Sequence, residues 1–153
     1  MGFLGHSAGG AAAVLACAHD DRCIAAVDVD GDLAGDVLQR GLGKPFLFLG
    51  HDGALASEPA LAGQLRAVMQ GMPADGHVLS VRGTGHFSFT DRAVSFNLLG
   101  RRLGFIGPLD GARALRICGA YVRAVFDGSL LGLPAPLLAG TSAAYPEVRV
   151  ERL

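Results

Sequence analysis

The residues Gly5-His6-Ser7-Ala8-Gly9 fit the spacing G-x-S-x-G, and Gly10 follows them. A serine in that setting suits covalent catalysis when it sits on a tight strand-to-helix turn. Flanking glycines remove side chains that would clash there, and the turn lifts the hydroxyl above the end of the strand. The helix that follows aims its first N–H groups at the same point, where they favour developing negative charge. The backbone N–H of Ala8 is the expected oxyanion donor. A plainer reading is a Gly-rich turn that opens a helix or holds a phosphate. The apolar Phe3-Leu4 before the turn and the Ala-rich segment after it favour the first reading.

A serine nucleophile needs a base, and the base needs an orienting acid. Five histidines are available. His6 lies inside the turn and is expected to point away from Ser7; His19 ends a helix and His77 begins a strand. His51 and His86 both follow apolar runs, and His86 is the stronger candidate. It comes last in the chain, which suits the order nucleophile, acid, base. It also lies in the loop Gly83-Thr84-Gly85-His86. For the acid, Asp28, Asp30 and Asp52 compete. Alternation puts Asp28 and Asp30 on one face of a strand, so parity does not separate them. Asp30 is preferred because it precedes Gly31 and lies further into the loop, whereas Asp28 is expected to terminate the strand.

The elements that must position these groups are short. Gly9 to His19 reads as a helix ended by Asp20-Asp21-Arg22. Cys23–Val27, Phe46–Leu49 and Val78–Val81 are continuous apolar runs, each closed by a cluster of Gly, Asp or His. Such runs fit strands buried on both faces of a parallel sheet. Ser57-Glu58-Pro59 starts a helix continued by Leu61, Leu65 and Val68. Asp110 starts a long final helix with Leu115, Val122 and Phe126 along its apolar face, and residues 132–153, with Pro134, Pro136 and Pro146, are expected to form an extended tail. The alternation of strands and helices is an α/β pattern.

The 153 residues carry 13 basic and 14 acidic side chains and half are hydrophobic, enough for a core and too balanced for a nucleic-acid footprint. No segment reaches the roughly 18 apolar residues of a membrane span. Cys17, Cys23 and Cys118 are odd in number and lack a Cys-x-x-Cys spacing, so they are expected to be buried thiols with no disulfide and no zinc site.

Together these residues resemble the α/β-hydrolase superfamily, and within it the bacterial esterases and lipases similar to platelet-activating-factor acetylhydrolase. Gly5-His6-Ser7-Ala8-Gly9-Gly10 resembles that group's nucleophile elbow. Val29-Asp30-Gly31 resembles its acid, with Asp30 standing 23 residues after Ser7 as in the group. Pro45–Leu49 resembles its next strand, Gly83–Asp91 its histidine loop, and Ile106–Phe126 a helix near its C-terminus. The resemblance implies a serine ester hydrolase with Ser7 as nucleophile, His86 as base and Asp30 as acid. It implies no metal or other cofactor, and a small-molecule or lipid ester as substrate. A cutinase-like or general lipase reading would move the acid to Asp52.

The elbow of that group lies near the middle of a longer chain, whereas here it opens the sequence. Residues 1–153 are therefore expected to form a single incomplete domain, the C-terminal part of an α/β-hydrolase fold, with weak or no activity alone. A non-catalytic module that needs a separate N-terminal half is the competing expectation. An unpaired sheet edge at Gly2-Phe3-Leu4 should favour self-association.

Overall fold

The computed structural model describes residues 1–70, 76–95, 100, 102–103 and 105–153. Five strands form one sheet in the order β1-β2-β3-β4-β5. They are β1 (Gly2–His6), β2 (Ala25–Val29), β3 (Phe46–His51), β4 (Gly76–Val81) and β5 (Val148–Val150). The first four are parallel and β5 pairs antiparallel with β4. Parallel neighbours need crossovers, which place helices on the faces of the sheet. Here α1 (Ala8–His19) links β1 to β2, and α2 (Val37–Arg40) links β2 to β3. Two helices, α3 (Ala54–Ser57) and α4 (Pro59–Val68), leave β3. A short α5 (Arg92–Ser95) and the long α6 (Gly111–Leu131) follow β4.

The apolar runs become strands because both their faces are covered. Every residue of β2 is buried, as are Phe46 to Gly50 of β3. On one face Ala26, Phe46, Phe48 and Val78 pack with Val14 and Cys17 of α1 and Leu61, Leu65 and Val68 of α4. On the other, Val27, Val29, Leu47, Leu49 and Leu79 pack with Ile117, Tyr121 and Val125 of α6. The buried seam of α6 thus runs through Ala114, Ile117, Tyr121 and Val125. The expected face at Leu115, Val122 and Phe126 lies beside that seam, with Val122 and Phe126 partly buried at its flank. The helix is capped at both ends: the Asp110 carboxylate accepts the Arg113 N–H at 2.9 Å, and Gly132 closes it in the left-handed region.

Three expectations are revised. Strand β2 extends to Val29, so Asp28 lies inside the strand and does not terminate it. The tail is not continuously extended: it makes a 3-10 turn at Pro136–Ala139 before pairing as β5. The cysteines are not all free thiols, because Cys17 and Cys23 form a disulfide. The turn at Asp20–Arg22 reverses the chain between α1 and β2 and brings the two Cα atoms to 5.2 Å, within bridging distance. Neither cysteine needs a spacing motif when a tight helix-to-strand turn supplies the proximity. Lys44 closes the same corner, its ammonium donating to the carbonyls of Cys17 at 2.7 Å and Asp20 at 3.0 Å. Cys118 remains a free, half-buried thiol, and burial pushes its pKa up to about 11.

Strand β1 has a neighbour on one side only among the described residues, and Leu4 there is 51% exposed. No helix among the described residues is long and apolar enough to cross a membrane.

A short disulfide loop stabilises mainly by restricting the unfolded chain, here by about 2 kcal/mol on a loop-closure estimate. Reduction, or Cys17→Ser, should therefore lower the urea midpoint without changing the slope of the transition. Superimposable denaturation curves with and without reductant would exclude the bridge.

Candidate active site

The parallel strands end at one edge of the sheet, and every candidate group stands there. The sharp turn at Ser7 leads directly from β1 into α1. Ser7 itself has φ 57° and ψ −130°, a conformation that a residue with a side chain rarely adopts. It is held by the Ser7 N–H donating to Val29 O at 2.9 Å and by the Gly10 N–H donating to Ser7 O at 2.8 Å. The two glycines that the turn cannot replace are Gly5, where a Cβ would strike the Gly9 backbone, and Gly10, where it would strike the Asp28 carboxyl. Gly9 faces open space, so the steric demand falls on Gly5 and Gly10 rather than evenly on the motif. Ala8 is the first residue of α1, and its N–H is one of the amide groups that a helix start leaves without an intrahelical partner.

Asp30 also lies at positive φ, 57°. Strand β2 has ended, so the parity that joined Asp28 and Asp30 no longer applies, and the two carboxyls go to different places. The Asp30 carboxylate is 3% exposed and meets His86. His86 Nδ1–H donates to Asp30 Oδ2 at 2.8 Å, and His86 Nε2 lies 3.1 Å from Ser7 Oγ. The three side chains form a continuous row from the elbow to the end of β2.

Asp52 does not join that row. Its carboxylate accepts the Gly83 N–H at 2.9 Å and lies 3.6 Å from Arg149 Nη1, so it braces the start of the histidine loop. Further along, the loop is fixed by Ser88, a fully buried residue whose Oγ accepts the N–H groups of Gly85 at 2.9 Å and Gly107 at 3.3 Å. His86 opens a single 3-10 turn, His86–Phe89, and its ring contacts that of Phe87 edge-on at 5.0 Å.

Two histidines set aside from the sequence stand at the site. His6 reaches the histidine loop: its Nε2–H donates to the His86 carbonyl at 2.9 Å, and the two rings are 4.7 Å apart. His51 lies against Asp30, donating from its backbone N–H and from Nδ1–H, both at 2.8 Å to Oδ1. The signal for His51 was its place after an apolar run, shared with His86, but nothing local indicates that it faces the neighbouring strand's carboxylate.

The electrostatics follow from these contacts. Burial alone would raise the Asp30 pKa, but hydrogen bonds from the His51 side chain and backbone and from His86 outweigh it and hold the carboxyl below its ordinary value. The hydrogen bond to Asp30 in turn raises the pKa of His51. Asp28 is in the opposite situation. It is fully buried beside Gly10; its Oδ1 accepts the Gly31 N–H at 3.0 Å, while Oδ2 has no partner among the described residues. Burial pushes its pKa up to about 7, against the lowering effect of the Gly31 N–H.

A carboxyl whose pKa rises on folding binds its proton more tightly in the native state. It therefore lowers stability progressively as pH rises from the unfolded value near 4 to about 7. Asp28→Asn removes that ionisation. The melting temperature of the variant relative to the parent should rise between pH 5 and pH 8; a pH-independent difference would show that Asp28 does not titrate this way.

The chain matches no family model. It is 31% identical over 163 aligned positions to a protein of Arthroderma benhamiae named as a probable 1-alkyl-2-acetylglycerophosphocholine esterase. The match covers 97% of this chain and 42% of that protein. Among solved structures it is similar to a ferulic acid esterase from Streptomyces cinnamoneus, with a TM-score of 0.85 and 32% identity over 97% of this chain and 46% of the other. The chain thus has the α/β-hydrolase fold and is related to its esterases, spanning a little under half the length of the relatives it matches.

Proposed function

We propose that this chain carries the reacting groups of a serine carboxylic-ester hydrolase that works through an acyl-enzyme. The observation that carries the proposal is the row Ser7 Oγ, His86, Asp30, joined at 3.1 Å and 2.8 Å. In this reading His86 Nε2 takes the hydroxyl proton as Ser7 Oγ bonds to the ester carbonyl carbon. The carbonyl oxygen becomes an oxyanion, with the Ala8 N–H as one donor. Collapse of the tetrahedral intermediate expels the alcohol, which takes the proton from His86 and leaves the acyl group on Ser7. Water then repeats the sequence, releasing the acid. Asp30 holds the His86 ring in the Nδ1–H tautomer and offsets the charge it gains. The names of the relatives, an acetylglycerophosphocholine esterase and a ferulic acid esterase, favour esters of short or aromatic carboxylic acids as the substrate class.

A fluorophosphonate probe tests the nucleophile directly. The chain should be labelled, and Ser7→Ala should abolish labelling and lower kcat on p-nitrophenyl acetate by up to roughly a millionfold. Labelling that persists in Ser7→Ala would refute the assignment, and an unlabelled parent would favour a non-catalytic module. Asp30→Asn should lower kcat by about ten-thousandfold. Asp52→Asn should have a far smaller effect, since Asp52 braces Gly83; the reverse ranking would move the acid to Asp52.

Among the described residues β1 is an edge strand, which supports self-association of this chain, because backbone groups along that edge beside exposed Leu4 form a template for another strand. Light scattering after size exclusion should show species larger than a monomer, in proportions that rise with concentration. A monodisperse monomer at all concentrations would contradict this.

A further inference from the structure

The Asp30 carboxylate serves two imidazoles. His51 Nδ1 lies 2.8 Å from Oδ1 and 2.9 Å from Oδ2, and His86 Nδ1 lies 2.8 Å from Oδ2. With the His51 backbone N–H, the carboxylate receives three N–H groups, two of them from His51. The arrangement follows from the sheet. Strands β2 and β3 pair in register up to Val29 and Leu49. Asp30 is the residue after Val29, and His51, two beyond Leu49, is the last residue of β3, so its N–H and its ring both reach the Asp30 carboxylate.

We propose that His51 is a positioning residue for the ester hydrolase reading given above: neutral His51 fixes the Asp30 carboxylate for His86, and protonated His51 competes with His86 for it. The proposal rests on that reading and adds a second imidazole to it. Asp30 is buried and held at positive φ, so its orientation depends on protein donors rather than on solvent. Each Nδ1 donates to the carboxylate, leaving Nε2 as the atom that gains or loses a proton on both rings. During acylation His86 becomes an imidazolium whose charge Asp30 offsets. A proton on His51 Nε2 puts a second cation on the same carboxylate, which weakens that compensation.

The groups around His51 make protonation accessible. Asp30 stands at the end of β2, Asp52 follows His51, and Glu58 precedes α4; all three favour the cation, and burial opposes it. Burial and its hydrogen bond with Asp32 raise the pKa of Glu58 itself. His86, on Oδ2 that His51 Nδ1 also approaches, is the facing group whose imidazolium repels a charged His51. The acid limb of the rate profile should therefore contain two imidazole protonations rather than one.

Two substitutions separate orientation from titration. His51→Leu removes the side-chain donor and should lower kcat by about ten- to a hundredfold with KM little changed. His51→Asn keeps a donor that does not titrate. It should recover most of kcat, and its acid limb should be shallower and displaced to lower pH. Parental kcat in His51→Leu, or an acid limb in His51→Asn that coincides with the parent, would overturn the role of His51. Fluorophosphonate labelling of Ser7 in both variants would in that case leave the hydrolase reading intact. Nitrogen-15 NMR of the imidazoles reads the shared carboxylate without turnover. The His51 ring should titrate above the ordinary histidine range in the parent and lower in Asp30→Asn. An unmoved His51 titration would overturn the sharing whether or not Ser7 reacts, and an unlabelled parent would overturn the hydrolase reading itself.

Discussion

The site is organised around one buried carboxylate. Asp30 sits in a conformation that side chains disfavour, nearly sealed from water, and keeps its charge only because N–H groups converge on it. An isolated carboxylate at such burial would take up a proton, as Asp28 two residues earlier is driven to do. The contrast between the two aspartates lies in their donors. Asp30 has two imidazoles and an amide; Asp28 has one amide and an orphaned oxygen. Strand β3 brings the two His51 donors to Asp30, and the loop after β4 brings the third from His86.

The elbow depends on the same sheet. The Ser7 N–H reaches across to Val29 O, tying the turn of β1 to the last residue of β2. The strained serine and the strained aspartate are therefore fastened to each other through adjacent strand ends. Histidine loop and elbow are joined again by His6, which donates to the backbone of His86 itself. Ser88 and Asp52 hold that loop from beneath and beside it. Ser7, Asp30 and His86 are thus each supported from a neighbouring element, the condition for holding a geometry to fractions of an ångström.

The sequence reveals groups whose signals are local. Ser7 is legible because a strained turn demands small neighbours, and His86 because a Gly-rich loop follows an apolar run. The α/β pattern is legible for a similar reason: strands buried on both faces lose their alternation. Gly31 and the loop position favour Asp30 over Asp28, but parity separates them only once the strand end is placed: β2 runs two residues past the expected end at Val27, so Asp28 lies inside it and Asp30 beyond it. His51 and His6 acquire their roles from neighbours distant in sequence, which no local pattern records. The same holds for the buried seam of α6. Ala114 and the hydroxyl-bearing Tyr121 face the sheet there beside Ile117 and Val125, while the apolar Leu115 and Phe126 lie to the side, so apolar character alone misplaces the contact face. The disulfide was hidden because its proximity arises from how tightly the chain reverses after α1.

That disulfide lies far from the chemistry along the chain but is mechanically connected to it. Helix α1 (Ala8–His19) begins just after Ser7 and carries Cys17 near its far end, and β2 (Ala25–Val29) runs from just beyond Cys23 back up to the residue before Asp30. Ser7 and Asp30 are the two tips of a pair of calipers whose pivot is a covalent bond, locked by the lone lysine, Lys44, on the carbonyls beside it. The gap between the tips is therefore set at the base of the sheet as well as at its upper edge. A change in the oxidation state of two buried sulfurs would alter the stiffness with which serine and aspartate face each other, without touching a single group at the mouth of the site.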